Sequence, residues 1–528
     1  MDKSTLNGNK DGIQRRVDFS IITALIVIIC AFQLWSIDRQ SLWYDEIYTL
    51  SNATGVSAYP FENCPLQKNT EPRSAEDWQK LVTAPEPRKN TSEIIINEGH
   101  PPLYTILIAS WTHFTGASSW AIRCFSVLCY LGTVLLAWVI GNSISTKITG
   151  SITAAAIALC PTVFYYATEA RSYALFLLTI TISTAGFLLT LDRFSREAKS
   201  TRWIALWGLG SVLSIYTHYF AAVWITSSFA AICLSAASTQ CWSKYWRPLL
   251  VTGGCVIASC LGLYPLWSKQ VQLHAEDHWT KGAYTFWEEI SAGIRSTTSL
   301  LSGEISTHSM MPSIIVMAAV IWLAIKSRPL LKSGNQLAFW TAAVVVVHIV
   351  LIALVDIILD HHTADVPRYS IAILPLIIAI AIPAVVGNEL KMRVVGGCIF
   401  SIAVFLSVSG SLGHRNPKQM YREVGGYLAN VAPPNARVLV VPGGPSIIGV
   451  AIYTRPDLTL EGSSVQQLPD RLHHIFKSTD VTYIIAQRMG LSDELWSNPG
   501  VLTDAEELNC EPPIHFVGLD LFKVTNAQ

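Results

Sequence analysis

The chain has 528 residues, of which 51% are hydrophobic and only 14% are charged. A soluble domain needs more polar surface than this, so the composition favours a membrane protein with several spans. The formal net charge is +0, and the sequence contains no basic run or patch, which argues against a nucleic-acid partner.

The first long apolar run, residues 19–37, is interpreted as a retained transmembrane helix. It is too long for a signal-peptide core, and Asp38-Arg39 follow it instead of a small-residue cleavage site. Further apolar runs have close to the roughly 20 residues that a spanning helix requires, although some are shorter. They lie at about 119–141, 149–164, 172–191, 203–217, 219–237, 249–267, 312–326, 337–358, 369–387 and 394–412.

The positions of basic residues predict the orientation in the membrane. Segment 102–114 is apolar, but about 13 residues at a rise of 1.5 Å cover only ~20 Å, less than the ~30 Å of the hydrocarbon core. If this segment lies on the surface and the N-terminus is cytoplasmic, every short basic loop falls inside, as the positive-inside rule requires. We therefore expect about eleven crossings, with the long loops on the external side. The inside loops contain Lys147, Arg193, Lys244, Lys326 and Lys391.

The composition changes after about residue 412. Segments 437–441 and 481–486 are typical of buried strands, and segments 418–431 and 464–478 of helices, which together predict a small α/β domain. The stretch VPGGPS (441–446) is interpreted as a plain turn, because it matches neither glycine-rich phosphate-binding fingerprint. The predicted organisation is a cytoplasmic N-terminus (1–18), a membrane domain (19–412) with a first external loop (38–118), and an external α/β domain (413–528).

The stretch SLWYDEIYTL (41–50) places two acids directly after the first transmembrane segment. As a helix with Ser41 at its N-cap, it has an apolar stripe formed by Leu42, Trp43, Ile47 and Leu50. Asp45 then points nearly opposite this stripe and Glu46 lies at its edge, so Asp45 is available to a cavity. The alternative is an interfacial helix with ordinary solvated acids.

Three more polar motifs are expected at external ends of apolar runs. In EGHPPLY (98–104), prolines start a helix and hold His100 near an end that favours anions. In YYATEARSYA (165–174), Glu169 and Arg171 at the hydrocarbon edge are costly unless they are paired or functional. In ADVPRYSIAILP (364–375), Arg368 begins a transmembrane segment. Each motif has a structural explanation of its own: a stiff loop for the first, an ion pair for the second and a snorkelling arginine for the third. All three are expected on the external side of the membrane, which favours a common site.

A metal site and a disulfide are two further alternatives. His274 and His278, with His361 and His362, offer metal ligands, but the sequence has none of the usual ligand spacings. No obligatory cofactor is therefore expected, and a divalent metal stays open. Cys64 and Cys510 are the clearly external cysteines, and a bridge between them is an open alternative in an oxidising compartment.

Six motifs in order resemble the integral-membrane glycosyltransferases of the GT-C superfamily. They are LWYDE, GHPPLY, AIRCFSVL (121–128), CPTVFYYATEARSYAL (160–175), YTHYF (216–220) and RYSIAILP. The likeness covers roughly residues 20–390 and is greatest for the bacterial branch related to protein O-mannosyltransferases and to the lipid A aminoarabinose transferase. It implies a polytopic α-helical GT-C fold in a bacterial inner membrane, with an external active site.

The resemblance also implies a reaction and a set of site residues. The donor would be a sugar on a polyprenyl phosphate, the acceptor an envelope lipid, polysaccharide or protein, and attack opposite the phosphate would invert the anomeric carbon. Asp45 would be the general base and Glu46 its orienting neighbour in the catalytic site. The donor phosphate and sugar would be bound by His100, Glu169, Arg171, Tyr173, Arg368 and Tyr369. Further substrate contacts are expected from Tyr44, Tyr104, His218, Tyr219, His361, His362 and Asp365.

Two other functions remain open at this point. An O-antigen ligase or polymerase also acts externally on lipid-linked glycans, but its usual mark is one dominant loop rich in arginine. A transporter of lipid-linked glycans should show ionisable residues near the bilayer midplane, whereas the charges here lie at the ends of apolar runs. The absence of a DxD pair argues against nucleotide-sugar chemistry with an obligatory metal. The sequence identifies neither the sugar nor the acceptor.

Overall fold

A computed structural model describes residues 23–55, 70–83, 91–274, 282–302, 318–331, 334–386, 420–471, 481–487 and 508–526, apart from gaps of one or two residues within these ranges. The chain divides into two compact units. The membrane unit comprises residues 1–36, 100–104 and 126–412, and the α/β unit comprises residues 37–99, 105–125 and 413–528.

The helices of the described residues are, in chain order, α1 (Ile26–Ser36), α2 (Tyr44–Thr54), α3 (Ala75–Thr83), α4 (Thr91–Asn97), α5 (Pro102–Thr115), α6 (Ser119–Ile144), α7 (Lys147–Leu159), α8 (Pro161–Tyr166), α9 (Tyr173–Phe194), α10 (Thr201–Ile215), α11 (Ala221–Ser238), α12 (Trp242–His274), α13 (Phe286–Ser302), α14 (Gly334–Leu359), α15 (Leu374–Val386), α16 (Tyr421–Val431) and α17 (Pro445–Tyr453). The strands are β1 (Arg73–Ser74), β2 (Arg437–Val441), β3 (Thr459–Gly462), β4 (Val481–Gln487), β5 (Leu508–Cys510), β6 (Ile514–Phe516) and β7 (Leu519–Asn526).

Within the described residues, 5 helices are long and apolar enough to cross a membrane. They correspond to five of the predicted spans, and shorter apolar helices correspond to parts of three more. The five long helices cover Ser119–Ile144, Tyr173–Phe194, Ala221–Ser238, Trp242–Leu273 and Gln336–Leu359. The protein is thus a mostly helical membrane protein with several apolar helices. The predicted span 394–412 lies outside the described residues.

Helices α9 and α10 of the membrane unit approach each other closely at two glycines. A Cβ on Gly186 would lie 2.2 Å from the backbone nitrogen of Trp207, and one on Gly210 would lie 2.3 Å from that of Ser183. The hydroxyls of Ser183 and Ser211 are joined by a hydrogen bond of 3.0 Å at the same contact. Small residues permit this approach, as is common between membrane helices. The contact fixes the N-terminal end of α9 relative to the segment that follows α10.

Among the described residues, the α/β unit contains a 7-stranded mixed sheet of order β1-β3-β2-β4-β7-β5, with β6 also paired to β7. Strands β3, β2 and β4 are parallel, and β7 runs antiparallel to β4. The predicted strands 437–441 and 481–486 correspond to β2 and β4, and the predicted helix 418–431 corresponds to α16. Most of the predicted helix 464–478 lies outside the described residues.

The sheet of the α/β unit includes chain from well before the tail. Strand β1 pairs antiparallel with β3, and the indole of Trp78 in α3 donates a 3.2 Å hydrogen bond to the carbonyl of Leu460. Trp78 is fully buried, so it is part of the core of this unit. The tail and the segment after α2 therefore fold as one body.

Candidate active site

A buried arginine–glutamate pair holds the first turn of α2 in the α/β unit. Arg123 binds both carboxylate oxygens of Glu46, at 2.8 Å and 2.5 Å. Its remaining N–H groups donate to the carbonyls of Ile37, Gln40 and Ser41 at 2.9 to 3.1 Å. Both side chains of the pair are almost fully buried. All five guanidinium donors are therefore satisfied, which is the condition for burying this charge.

Helix α2 begins at Tyr44, not at Ser41, so the prediction that Ser41 is the N-cap is wrong. Trp43 occupies the N-cap position, and its backbone N–H donates to Glu46 Oε2 at 3.3 Å. The physical reason is that the chain around Ser41 is held by its carbonyl to Arg123, which delays the start of the helix. Glu46 thus both caps the helix and pairs with Arg123.

Asp45 and Glu46 have different surroundings, as the helical pattern predicts. Ile47 and Leu50 are buried with Glu46, whereas Asp45 is half-buried on the opposite side of α2. The neighbouring Tyr44 hydroxyl lies 3.2 Å from that of Tyr48. Asp45 is therefore the acid of the pair with access to solvent or substrate.

Residues of the C-terminal tail support α2 directly within the α/β unit. The hydroxyl of Tyr453 accepts a 3.0 Å hydrogen bond from the backbone N–H of Leu42. At Gly449, a Cβ would lie 2.6 Å from Cδ1 of Ile47 and 3.0 Å from the ring of Tyr421. Helix α17 can pack this closely against α2 only because residue 449 has no side chain.

The membrane unit brings together six of the residues that the sequence analysis selected. We call them the cationic–aromatic cluster, and they are His100, Arg171, Tyr173, His218, Arg368 and Tyr369. Arg171 donates to Nε2 of His100 at 3.0 Å, so His100 carries its proton on Nδ1 and is neutral in this contact. Arg171 is 8% exposed, which makes it a buried cation at the N-terminal end of α9.

The second cation of the cluster lies against two tyrosine rings. The guanidinium carbon of Arg368 is 5.7 Å from the ring centre of Tyr173 and 5.5 Å from that of Tyr369. Aromatic faces stabilise a cation at such distances. Phe220 stacks on Tyr369 with ring centres 4.4 Å apart. These contacts place the guanidinium of Arg368 among aromatic rings.

His218 lies at the centre of the cluster. Its ring centre is 5.6 Å from that of His100, 6.0 Å from that of Tyr173 and 5.8 Å from that of Tyr369. Its side chain is 2% exposed. Burial, together with the charges of Arg368 and Arg171, lowers the pKa of His218 to about 3. The ring is therefore neutral at physiological pH.

Gln270 is a supporting residue that sequence reasoning missed. Its amide nitrogen donates to the carbonyl of His100 at 3.0 Å, and its amide oxygen accepts from the hydroxyl of Tyr219 at 2.6 Å. Gln270 is buried near the end of α12. In the sequence, Gln270 is only a glutamine close to the apolar run 249–267. No sequence pattern predicts its hydrogen bond to His100.

A second polar network surrounds His362 in the membrane unit. His362 Nδ1 bonds Oε1 of Glu289 at 2.6 Å, and its ring stacks on Tyr284 with centres 3.9 Å apart. Burial raises the pKa of Glu289, while the hydrogen bond from His362 opposes this. Asp365 pairs with Arg295 at 3.0 Å. These contacts connect α13 to the segment that precedes Arg368.

Glu169, Tyr104 and His361 are three further predicted site residues, and the first two of them are buried. Glu169 is buried, and its backbone carbonyl accepts a 2.7 Å hydrogen bond from the hydroxyl of Ser126. Tyr104 is also buried, in α5. His361 is partly exposed, and its backbone N–H donates to the carbonyl of Asp356.

The described residues contain no group of three or more His, Cys, Asp or Glu side chains that could hold a metal ion. His274 ends α12, whereas His278 lies outside the described residues. The possible bridge between Cys64 and Cys510 also falls outside the described residues, because Cys64 is not described.

Comparisons with known proteins agree with this fold. Residues 99–264 match the family model described as dolichyl-phosphate-mannose-protein mannosyltransferase. The crystal structure of ArnT from Cupriavidus metallidurans in the apo state has a TM-score of 0.55 and 11% identity, covering 96% of this chain and 97% of that one. The structure of the same protein bound to undecaprenyl phosphate gives a TM-score of 0.51 and 12% identity, with the same coverage. None of the curated proteins compared with the sequence matches it.

The segment that matches the family model contains His100, Arg171 and His218. The chain shares the fold of ArnT over almost its whole length.

Proposed function

We propose that this protein transfers a sugar from a polyprenyl phosphate to an acceptor of the cell envelope, with inversion at the anomeric carbon. The observation that carries this proposal is the cationic–aromatic cluster, in which two arginines are buried or held among aromatic rings. Two guanidinium groups in one cluster offer charge-assisted hydrogen bonds to a phosphate. The structurally similar ArnT binds undecaprenyl phosphate, which supports a lipid phosphate as the ligand here.

The cluster suits the leaving group of such a reaction. When the bond between the anomeric carbon and the phosphate oxygen breaks, the phosphate gains a negative charge. Arg171 and Arg368 can stabilise that charge through charge-assisted hydrogen bonds. Because the two groups are already positioned by His100 and by tyrosine rings, little reorganisation is needed when the charge develops.

Asp45 is proposed as the general base. Its carboxylate can accept the proton of an acceptor hydroxyl, and it is the acid of the pair that is only half-buried. Glu46 cannot take this role, because Arg123 and the cap of α2 occupy its oxygens. We assign Glu46 and Arg123 to positioning Asp45. The acceptor is a lipid, polysaccharide or protein on the external side of a bacterial inner membrane, with the N-terminus cytoplasmic.

The test of this function uses Asp45→Asn in the purified full-length protein. Transfer of labelled sugar from an undecaprenyl-phosphate-linked donor to envelope extract should fall by about 100-fold or more, since a general base contributes typically 10²–10⁴-fold. Binding of undecaprenyl phosphate should change little. Glu76→Gln, which alters an exposed acid paired with Lys80, is the matched control and should retain full activity. Wild-type transfer rates in the Asp45→Asn variant would remove Asp45 from the mechanism.

A further inference from the structure

We propose that His218 binds the donor phosphate directly, by donating a hydrogen bond from Nε2–H as a neutral ring. This inference rests on the proposed function, because it assigns an additional ligand to the same lipid phosphate. It also gives His218 a different role from the two arginines, which act through their charge.

The hydrogen bond at the other ring nitrogen determines which nitrogen of His218 carries the proton. The backbone N–H of Phe220 donates to Nδ1 at 3.3 Å. A neutral imidazole that accepts at Nδ1 must hold its proton on Nε2. The Nε2 atom is buried and has no hydrogen-bond partner among the described residues. The cluster therefore contains a buried donor that a ligand oxygen can satisfy.

An unsatisfied buried donor is unfavourable, costing about 1–3 kcal/mol by general measurements. Such a group persists where a ligand supplies the partner. Arg171 and Arg368 are close enough to His218 for their charges to oppose its protonation. A ligand that satisfies Nε2–H here must therefore be an acceptor, and two neighbouring cations favour an anionic one. A phosphate oxygen meets both conditions.

The His218 ring is a neutral hydrogen-bond donor near neutral pH. With a pKa of about 3, His218 is not a general base near neutral pH and does not become a third cation. His218 contributes a directional hydrogen bond from Nε2–H, which can form only when a phosphate oxygen lies at one particular position. The arginines attract the phosphate, and His218 orients it.

The experiment measures the affinity of purified variants for undecaprenyl phosphate in detergent micelles, with undecaprenol and inorganic phosphate as further probes. His218→Phe keeps the aromatic ring and removes the donor, and we expect it to weaken undecaprenyl phosphate binding by about tenfold or more, the size typical of a hydrogen bond to a charged group. His218→Gln can place an amide N–H near the Nε2 position, and should stay within about threefold of wild type. Undecaprenol binding should be the same in all three proteins.

His348→Phe is the matched control, because His348 is another fully buried histidine, in α14 and outside the cluster. It should bind undecaprenyl phosphate as wild type does. If His218→Phe does not fold, His218→Gln and His218→Asn decide, since the shorter amide cannot reach the Nε2 position and should lose binding. Equal affinity of the His218→Phe variant and wild type would overturn the inference and leave the proposed function intact.

Two other results would have different meanings. Wild-type protein that fails to bind undecaprenyl phosphate would contradict the proposed donor itself, and the inference with it. Inorganic phosphate should compete with the lipid in wild type only at much higher concentration. Tighter binding of inorganic phosphate than of the lipid would identify free phosphate as the ligand and overturn the assignment to a lipid donor.

Discussion

Arg123 donates all five of its N–H groups to Glu46 and to the carbonyls of residues 37–41. A substitution of Arg123 therefore tests whether this single residue positions α2. In Arg123→Lys the ammonium has only three donors and no planar fork, so part of the set formed by Glu46 and three carbonyls is left buried and unsatisfied. Breaking a buried ion pair lowers the free energy of unfolding by about 3–5 kcal/mol. We expect Arg123→Lys to lose a large fraction of that amount. Thermal unfolding should occur several degrees lower, and transfer should fall because Asp45 is no longer held.

The control for Arg123→Lys is Arg196→Lys. Arg196 pairs with the buried Asp192 at 2.8 Å but is itself 38% exposed, so a lysine ammonium can keep this single contact while its other donors stay in water. Its melting temperature and transfer rate should remain close to wild type. If both lysine variants behaved alike, the Arg123–Glu46 pair would not be a positioning device.

Sequence reasoning separated the two acids of α2 but could not find their supports. The angular positions of Asp45 and Glu46 follow from helical periodicity, which is a local property. The bond from Arg123 to Glu46 connects residues 77 positions apart, and periodicity carries no information about such a contact. Arg123 belongs to the motif AIRCFSVL (121–128), but nothing in this motif indicates that Glu46 is its partner.

At the scale of elements, the contact between α9 and α10 should control the shape of the cationic–aromatic cluster. Helix α9 begins at Tyr173, and α10 ends shortly before His218. Gly186→Ala places a Cβ against the backbone of Trp207, and backbone cannot move aside as a side-chain tip can. Overpacking costs about 1–3 kcal/mol, so we expect a lower melting temperature and weaker binding of undecaprenyl phosphate.

Gly254→Ala provides the comparison for Gly186→Ala. Gly254 lies in α12, and a Cβ there would meet nothing within 4 Å. Alanine is favoured over glycine in a helix by about 1 kcal/mol, so this variant should be as stable as wild type or slightly more so. Loss of stability in Gly254→Ala equal to that in Gly186→Ala would show that glycine itself, and not the helix contact, is required.

At the scale of the whole molecule, the α/β unit was only partly predictable. Apolar runs bounded by turn residues revealed strands β2 and β4, because burial on both faces gives continuous hydrophobic segments. Strand β1 is two residues long and its partner β3 lies almost 400 residues later, so no local pattern could predict the pairing. The same limit applies to Tyr453, whose hydroxyl accepts a hydrogen bond from the backbone N–H of Leu42, a residue 411 positions earlier in the sequence.

This assembly predicts that α2 depends on the tail. Tyr453→Phe removes the acceptor of the Leu42 N–H, and Gly449→Leu forces a side chain between Ile47 and Tyr421. Both should speed hydrogen exchange at the start of α2 and reduce transfer, the second more strongly because overpacking adds to the lost contact. Exchange of backbone amides in residues 40–50, followed by mass spectrometry, measures the effect.

Tyr427→Phe is the control for the dependence of α2 on the tail, because Tyr427 belongs to the same unit and packs edge-on against Phe516, with ring centres 6.2 Å apart. The Tyr427→Phe variant should leave hydrogen exchange of the backbone amides in α2 unchanged. Deletion of residues 413–528 extends the test, since it removes six strands of the sheet and uncovers Trp78. We expect the truncated chain to lose transfer even though it retains Asp45. Normal exchange of α2 together with normal transfer after this deletion would show that the tail does not position Asp45.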